Sequence, residues 1–239
     1  MLPSVTNDAF APGEMLEWRV HYGFVDAGIA RISVEESEHT IGDRKLWHIV
    51  GTGKSKGAFN WFYKVDDRYE SYIDQEGVFP WMFVRRCNEG GYIIEQDYIF
   101  HQSKEYVEDD KGKTYDVPVG VQDMLSAFYH ARTMDLSSFE IGDTLTVETF
   151  VDGELWPLQC KYLGNEDVKV DAGEFACMKF APIVQKGRIF KEEEDLTVWI
   201  TNDKNRVPVL AQANILVGSI KMELQAYENL ANPIAEPED

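Results

Sequence analysis

The chain has 239 residues, of which 44% are hydrophobic and 13% aromatic, so it can bury a full core. Lys and Arg total 23 against 42 Asp and Glu, and the formal net charge of −19 repels a phosphate backbone. This balance excludes nucleic acid as a main partner, and it opposes loose docking on anionic lipid surfaces.

Alternating apolar and polar residues open the chain. In Glu14–Tyr22 the apolar side chains fall at every second position, which is typical of a half-buried strand. The same alternation returns at 30–35, and the intervening Gly23–Gly28 predicts a hairpin turn. Leu46–Thr52 is predicted to be a third strand.

An aromatic stretch, Phe59–Ile73, comes next. Pro80 then favours an edge position or a break in the following strand. Asn88–Gly91 predicts a turn inside a meander that continues to Gly112.

One segment changes its hydrophobic period. The apolar positions that define it are Val121, Met124, Leu125, Phe128 and Tyr129. Their spacing predicts an amphipathic helix over Val121–Arg132. Asp123 in the first turn, and His130 and Arg132 in the last, carry charges that suit the helix dipole.

Strand-like alternation resumes after Gly142 and ends with Ser219–Tyr227. About twelve strands and one helix predict a mainly β protein. The fold is expected to be a strongly curved antiparallel sheet, a half-open barrel or two packed sheets. The helix is expected to cover an exposed face or to plug one mouth.

The chain is predicted to form a single β domain over 13–230, after an N-terminal segment at 1–12. A two-lobe division near 112–120 is the alternative. The proline-rich acidic tail, 231–239, is predicted to be disordered. The acidic run Glu192–Asp195 is expected to be solvated surface.

No apolar run approaches the roughly 20 residues that a membrane-spanning helix needs. Met1–Pro12 lacks the basic start and apolar block of a signal peptide, so the protein is expected to be cytoplasmic or to have lost its signal.

Cys87, Cys160 and Cys177 match no zinc or haem spacing. A disulfide between Cys160 and Cys177 is left open, because pairing depends on a distance that sequence does not give.

Four groups of short sequence motifs follow one another along the chain. They are Pro12–Leu16 with Tyr22-Gly23 and Ala27-Gly28, then Asp67–Tyr72, Gln122–Tyr129 and Gly218–Ile220. Together they resemble the bacterial domain-of-unknown-function family 3108, over nearly the whole chain. The resemblance implies an all-β architecture and an exported protein that is periplasmic or outer-membrane-associated. It implies no catalytic residues.

The predicted helix, with its Gln122–Tyr129 motif, provides the first candidate site. Asp123, Ser126 and His130 lie at steps of three and four residues, so they share one flank beside Tyr129 and could do acid–base work. The alternative is structural: Asp123 would cap the helix start and His130 its end, and Ser126 would let the helix lie close to the sheet.

Arginine side chains provide the second candidate. Arg68, Arg85 and Arg86, with Tyr69, could hold a carboxylate, a phosphate or a lipid head group. The alternative is cross-strand pairing with the acidic residues at 66–70.

Aromatic side chains provide the third. Trp61, Tyr63 and Trp81 could line an apolar cavity or stack on sugar rings, and the alternative is plain core packing. The phenylalanines of the same segments are Phe59, Phe62, Phe79 and Phe83.

Three functions follow from these candidates. The first is non-catalytic binding of a hydrophobic or lipid-like ligand in the cell envelope. The second is a glycan- or lipid-acting hydrolase that uses carboxylates such as Asp66, Asp67 and Asp123. The third is a structural or interaction module of the envelope. No catalytic residue, metal or cofactor is predicted, and the expected partner is a hydrophobic or anionic small molecule.

Overall fold

The computed structural model describes residues 1–183, 196–214 and 218–237. The first eight strands are β1 (Met15–Tyr22), β2 (Val25–Ile41), β3 (Arg44–Ser55), β4 (Asp66–Asp74), β5 (Pro80–Glu89), β6 (Tyr92–His101), β7 (Tyr106–Asp109) and β8 (Thr114–Asp116). The other six are β9 (Thr144–Val151), β10 (Glu154–Val170), β11 (Gly173–Pro182), β12 (Leu196–Thr201), β13 (Pro208–Asn214) and β14 (Ser219–Glu228). The helical elements are α1 (Phe59–Phe62), a 3-10 turn (Gln102–Lys104) and α2 (Met124–Thr133). Glu192–Asp195 lies outside the described residues.

These fourteen strands form one antiparallel sheet, in the order β8-β7-β6-β5-β4-β3-β2-β1-β14-β13-β12-β11-β10-β9. Every strand pairs with sequence neighbours except at the centre, where β1 pairs with β14 and Leu16 lies opposite Tyr227. The mainly β prediction is confirmed. The strand count exceeds the expected twelve in part because β8, with three residues, is too short for alternation to reveal it.

The sheet curls until its two edges meet without closing. Tyr98 and Tyr115 contact Phe150 of β9, with ring centroids 5.0 and 5.2 Å apart. The backbone of Gln122 pairs with the β9 edge through two hydrogen bonds, from its own N–H to Glu148 and from the Phe150 N–H to its carbonyl. These contacts cover an edge that would otherwise expose unpaired backbone groups.

The predicted helix is confirmed as α2 and lies against the concave side of the sheet. It begins at Met124 rather than Val121, because Gln122 is committed to the β9 edge. Asp123 and Ser126 form a reciprocal capping box at its start. Tyr129 is fully buried in the largest core cluster, which draws on both halves of the sheet.

The C-terminal tail is docked on the body of the protein. The buried Asn205 side chain donates to the carbonyls of Asn232 and Pro233, and its oxygen accepts from the Asn232 N–H. Ile234 packs against the core cluster, and the Ala235 N–H bonds to Asp203. These contacts would offset the unfavourable composition from which disorder was predicted for 231–239.

All three cysteines are free. In the β10–β11 ladder Cys160 lies opposite Pro182 and Cys177 opposite Glu166, so the two do not face each other. Among the described residues, no helix is long and apolar enough to cross a membrane.

Candidate ligand-binding site

An apolar cavity of about 530 Å³ opens between β1, β2, β3 and α1. The side chains and backbone that line it are Val20, Tyr22, Ala27, Gly28, Ile29, Ala30, Gly53, Lys54, Ser55, Phe59, Tyr63, Val65 and Ile220. We call this space the α1 cavity. Its volume falls within the range of small-molecule pockets, roughly 300–1,000 Å³.

Small residues on the concave face create this space. Gly51 faces α2, because a Cβ built there would lie 3.3 Å from the Leu125 side chain. Gly53 is two residues further along β3 and therefore shares that face, opposite Ala30 of β2. A Cβ on Gly53 would meet the Cβ of Asp67 at 3.9 Å. The concave face of the sheet therefore carries little side-chain volume at this position, which lies past the part of β3 that α2 covers.

The single-turn helix α1 forms the lid of the cavity. Ser55 fixes it by donating to Asn60 at 2.7 Å and by accepting from the Val65 N–H at 2.8 Å. Tyr63 packs over Gly90 of the β5–β6 turn, whose N–H bonds to the Lys64 carbonyl at 2.7 Å. In the part of the chain that the structure describes, no side chain caps the start of α1, so few contacts hold the lid closed.

The cavity presents few polar groups to a ligand. The Ser55 hydroxyl is already engaged by the lid, and the Lys54 amine lies 3.4 Å from Asp66, near the exposed outer surface. Among the described residues, no Asp, Glu, His or Cys lines the cavity. The arrangement is suited to holding an apolar chain rather than to acid–base or nucleophilic chemistry.

The polar group at the start of α2 is sealed inside the protein. Asp123 accepts from the N–H groups of Leu125 and Ser126 and from the Ser71 hydroxyl, the last at 2.5 Å. Burial raises the Asp123 pKa to about 6, although these hydrogen bonds lower it in part. Asp123, Ser126 and Ser71 are all buried, so this cluster fastens α2 to β4 and is closed to a substrate.

The other two helix candidates also lie away from the α1 cavity. Burial lowers the His130 pKa, because it disfavours the charged imidazole. Tyr129 is enclosed beside the ion pair between Arg132 and Glu14, and burial raises its pKa well above the usual value.

Each of the three arginines is paired with a carboxylate, and Arg68 lies opposite Arg86 in the β4–β5 ladder. Arg68 bonds to Glu70 at 2.7 Å, and Arg86 forms a two-pronged pair with Asp97 at 2.6 and 2.9 Å. Arg85 reaches across to Asp152 in the β9–β10 turn at 2.9 Å. Its guanidinium lies 5.8 Å from the centre of the Tyr69 ring. An anion bound there would have to compete with these acidic partners.

Among the aromatic candidates, Tyr63 lines the α1 cavity and Trp61 lies on the outside of its lid. Trp81 is at the other end of the sheet, where its indole N–H donates to Asp74. The wall residues Gly28, Ala30 and Gly53 are not among the candidates that the sequence indicates. Their signal was a pair of small-residue runs, 27–30 and 51–53, which become informative only once β2 and β3 are placed side by side.

The carboxylates that would support hydrolysis serve other purposes. Asp66 pairs with Lys54, Asp67 accepts from the Asn88 N–H at 3.0 Å, and Asp123 caps α2. Within the described part of the chain, no group of three or more His, Cys, Asp and Glu side chains is placed to hold a metal ion.

A family model described as protein of unknown function (DUF3108) matches residues 17–225. No curated protein shows significant similarity to the chain. A β-barrel-like protein of the DUF1849 family from Brucella abortus aligns with a TM-score of 0.57 and 10% identity, over 95% of this chain and 99% of that one. This likeness shows the fold alone.

Two further solved structures align more loosely. The hypothetical protein CT021 of Chlamydia trachomatis has a TM-score of 0.42 and 6% identity, over 96% of this chain and 93% of that one. A Bacteroides fragilis protein, provisionally described as exported and with a YmcC-like fold, has a TM-score of 0.35 and 10% identity, over 96% and 100%.

Proposed function

The chain belongs to the DUF3108 family of unknown function, and from that premise we propose that it binds a hydrophobic, lipid-like small molecule in the α1 cavity without converting it. The observation that carries the proposal is the cavity itself, whose walls are almost wholly apolar. The ligand would enter past α1, the least anchored wall. An envelope location, which is part of this proposal, would supply lipid ligands.

The cavity predicts how affinity depends on ligand length. Each methylene that leaves water contributes about 0.8 kcal/mol, or roughly fourfold in Kd. A series of straight-chain alcohols should therefore bind more tightly by that step until the cavity is full, and affinity should then level off. Competition against a dansyl-labelled undecanoic acid probe on delipidated protein would measure the series.

Gly53→Leu tests the site directly. The new side chain should occupy the cavity and abolish probe binding, while the melting temperature stays at or above that of the wild type, because glycine is unfavourable in a strand. Thr52→Leu is the matched control, since it adds bulk one residue away on the opposite face of β3. Unchanged probe binding in a folded Gly53→Leu protein would refute the proposal.

A further inference from the structure

Exposed apolar side chains gather at one end of the sheet, around the mouth of the α1 cavity. They belong to the β1–β2 turn, the α1 segment and the β5–β6 turn, which share this end because neighbouring strands alternate in direction. The set, here called the aromatic rim, comprises Phe24, Trp61, Phe62, Tyr92 and Ile93. Trp61 is 91% exposed and Phe62 87%.

Hydrogen bonds hold the three parts of the rim together. The Lys56 N–H donates to the Ala27 carbonyl at 2.8 Å and ties the lid segment to the start of β2. The Gly90 N–H donates to the Lys64 carbonyl at 2.7 Å and ties the same segment to the β5–β6 turn. The aromatic rim is therefore one surface, and an exposed apolar surface of this kind marks an interaction site.

The α1 segment and the end of β3 that leads into it differ in charge from the whole protein. Residues 54–65 contain three Lys and no Asp or Glu, although the chain has 42 acidic residues in all. Lys54, Lys56 and Lys64 lie beside the rim and are exposed. Within the described residues, neither Lys56 nor Lys64 forms an ion pair with a carboxylate.

We propose that the aromatic rim docks on the surface of an anionic phospholipid bilayer. Trp61 and Phe62 would enter the boundary between head groups and acyl chains, where aromatic side chains are favoured, and Lys56 and Lys64 would meet the phosphates. The net charge of −19 repels such a surface. At the rim end of the sheet Asp26 is paired with Arg19 and Asp66 with Lys54, so Glu89 remains to oppose Lys56 and Lys64, and salt screens carboxylates more than about 10 Å away. That same net charge opposes pairing with a second copy of the chain.

The docking does not depend on a ligand in the cavity, yet it would turn the mouth of the α1 cavity toward lipid. Gly53→Leu protein should therefore still bind vesicles, although it no longer binds the fatty-acid probe. This pair of measurements separates a failure of the docking from a failure of the proposed function.

Vesicle flotation tests the rim, with phosphatidylcholine vesicles that contain or lack phosphatidylglycerol. The wild type should float with the anionic vesicles, and Trp61→Ser/Phe62→Ser should weaken this binding by about tenfold or more. Ile41→Ser is the control, because Ile41 is 44% exposed at the far end of β2 and should not matter.

Charge is tested in the same assay. Lys56→Gln/Lys64→Gln should weaken binding to anionic vesicles by roughly 25-fold, at about fivefold per lysine, and Lys45→Gln at the other end of β3 should leave it unchanged. Absence of wild-type flotation, or equal flotation by the serine double variant, would overturn the proposal. So would rim-dependent self-association without vesicle binding, which would assign the rim to a second copy of the chain.

Discussion

Glu14 and Arg132 form a buried ion pair that joins the start of β1 to the end of α2. Both arginine terminal nitrogens bond to the carboxylate, at 2.6 and 2.7 Å, and the arginine Nε donates to the Asn205 carbonyl at 2.7 Å. The sequence predicted only that Arg132 would favour the helix dipole. Its partner is 118 positions away, so no local pattern could have revealed the pair.

Glu14→Gln should lower the free energy of unfolding by about 3–5 kcal/mol, because it leaves the buried guanidinium without a compensating charge. Arg31→Gln, which breaks the half-exposed pair with Glu17, should cost at most about 1 kcal/mol. Urea denaturation of both variants measures the difference. Equal losses of unfolding free energy in the two variants would show that the buried pair stabilises the protein no more than the half-exposed pair does.

Asp123 should make stability depend on pH. Its folded-state pKa of about 6 lies above the ordinary 3.8, so the folded protein binds the proton more tightly than the unfolded chain. The resulting stabilisation is complete below about pH 4 and is lost as the pH rises through 6.

Asp123→Asn removes this titration and keeps a good N-cap residue. Relative to the variant, the wild type should lose on the order of 3 kcal/mol of unfolding free energy between pH 4 and pH 7. Comparing the two proteins at each pH cancels the other carboxylates. A difference that does not change with pH would contradict the expectation.

At the scale of elements, the strands and α2 could be predicted because their hydrophobic periods are local. The lid could not. In the sequence, Phe59–Phe62 is simply part of an aromatic stretch, because a single helical turn is too short to show a helical period. The candidate site was found only in part, through Tyr63 and Trp61, because its other wall is made of small residues that neighbouring strands bring together.

The lid predicts a kinetic effect that rests on the proposed function. Ser55→Ala removes the two bonds that fix α1, so probe dissociation should become several-fold faster while association changes little. Stopped-flow displacement of the dansyl probe measures both rates. Ser33→Ala removes a hydroxyl that donates to the exposed Glu35, away from the lid, and should match the wild type.

At the scale of the whole molecule, the sequence predicted a curved antiparallel sheet but not the order of its strands. An alternating pattern identifies a strand but does not show which strand it pairs with. β1 pairs with β14, from which it is separated by nearly the whole length of the sequence. The tail illustrates the same limit. Its composition predicted disorder, yet Asn205, a residue of the β12–β13 turn, receives it.

A chain that ends at Leu230 should therefore be less stable by roughly 2–4 kcal/mol than one that ends at residue 237. It loses the packing of Ile234 and leaves the buried Asn205 amide unsatisfied. Urea denaturation of the two chains measures the effect. Equal midpoints would show that the docked tail contributes nothing.

The pairing of β1 with β14 also constrains the route to the native state. Arg19 and Glu223, which bond across this pair, are 204 positions apart, so the centre of the sheet depends on closing a very long loop. Proteins rich in such non-local pairings fold slowly. A chain that emerges from one end must therefore complete its last strand before β1 and β14 can pair, so the two halves of the sheet have to wait for each other at the seam between them.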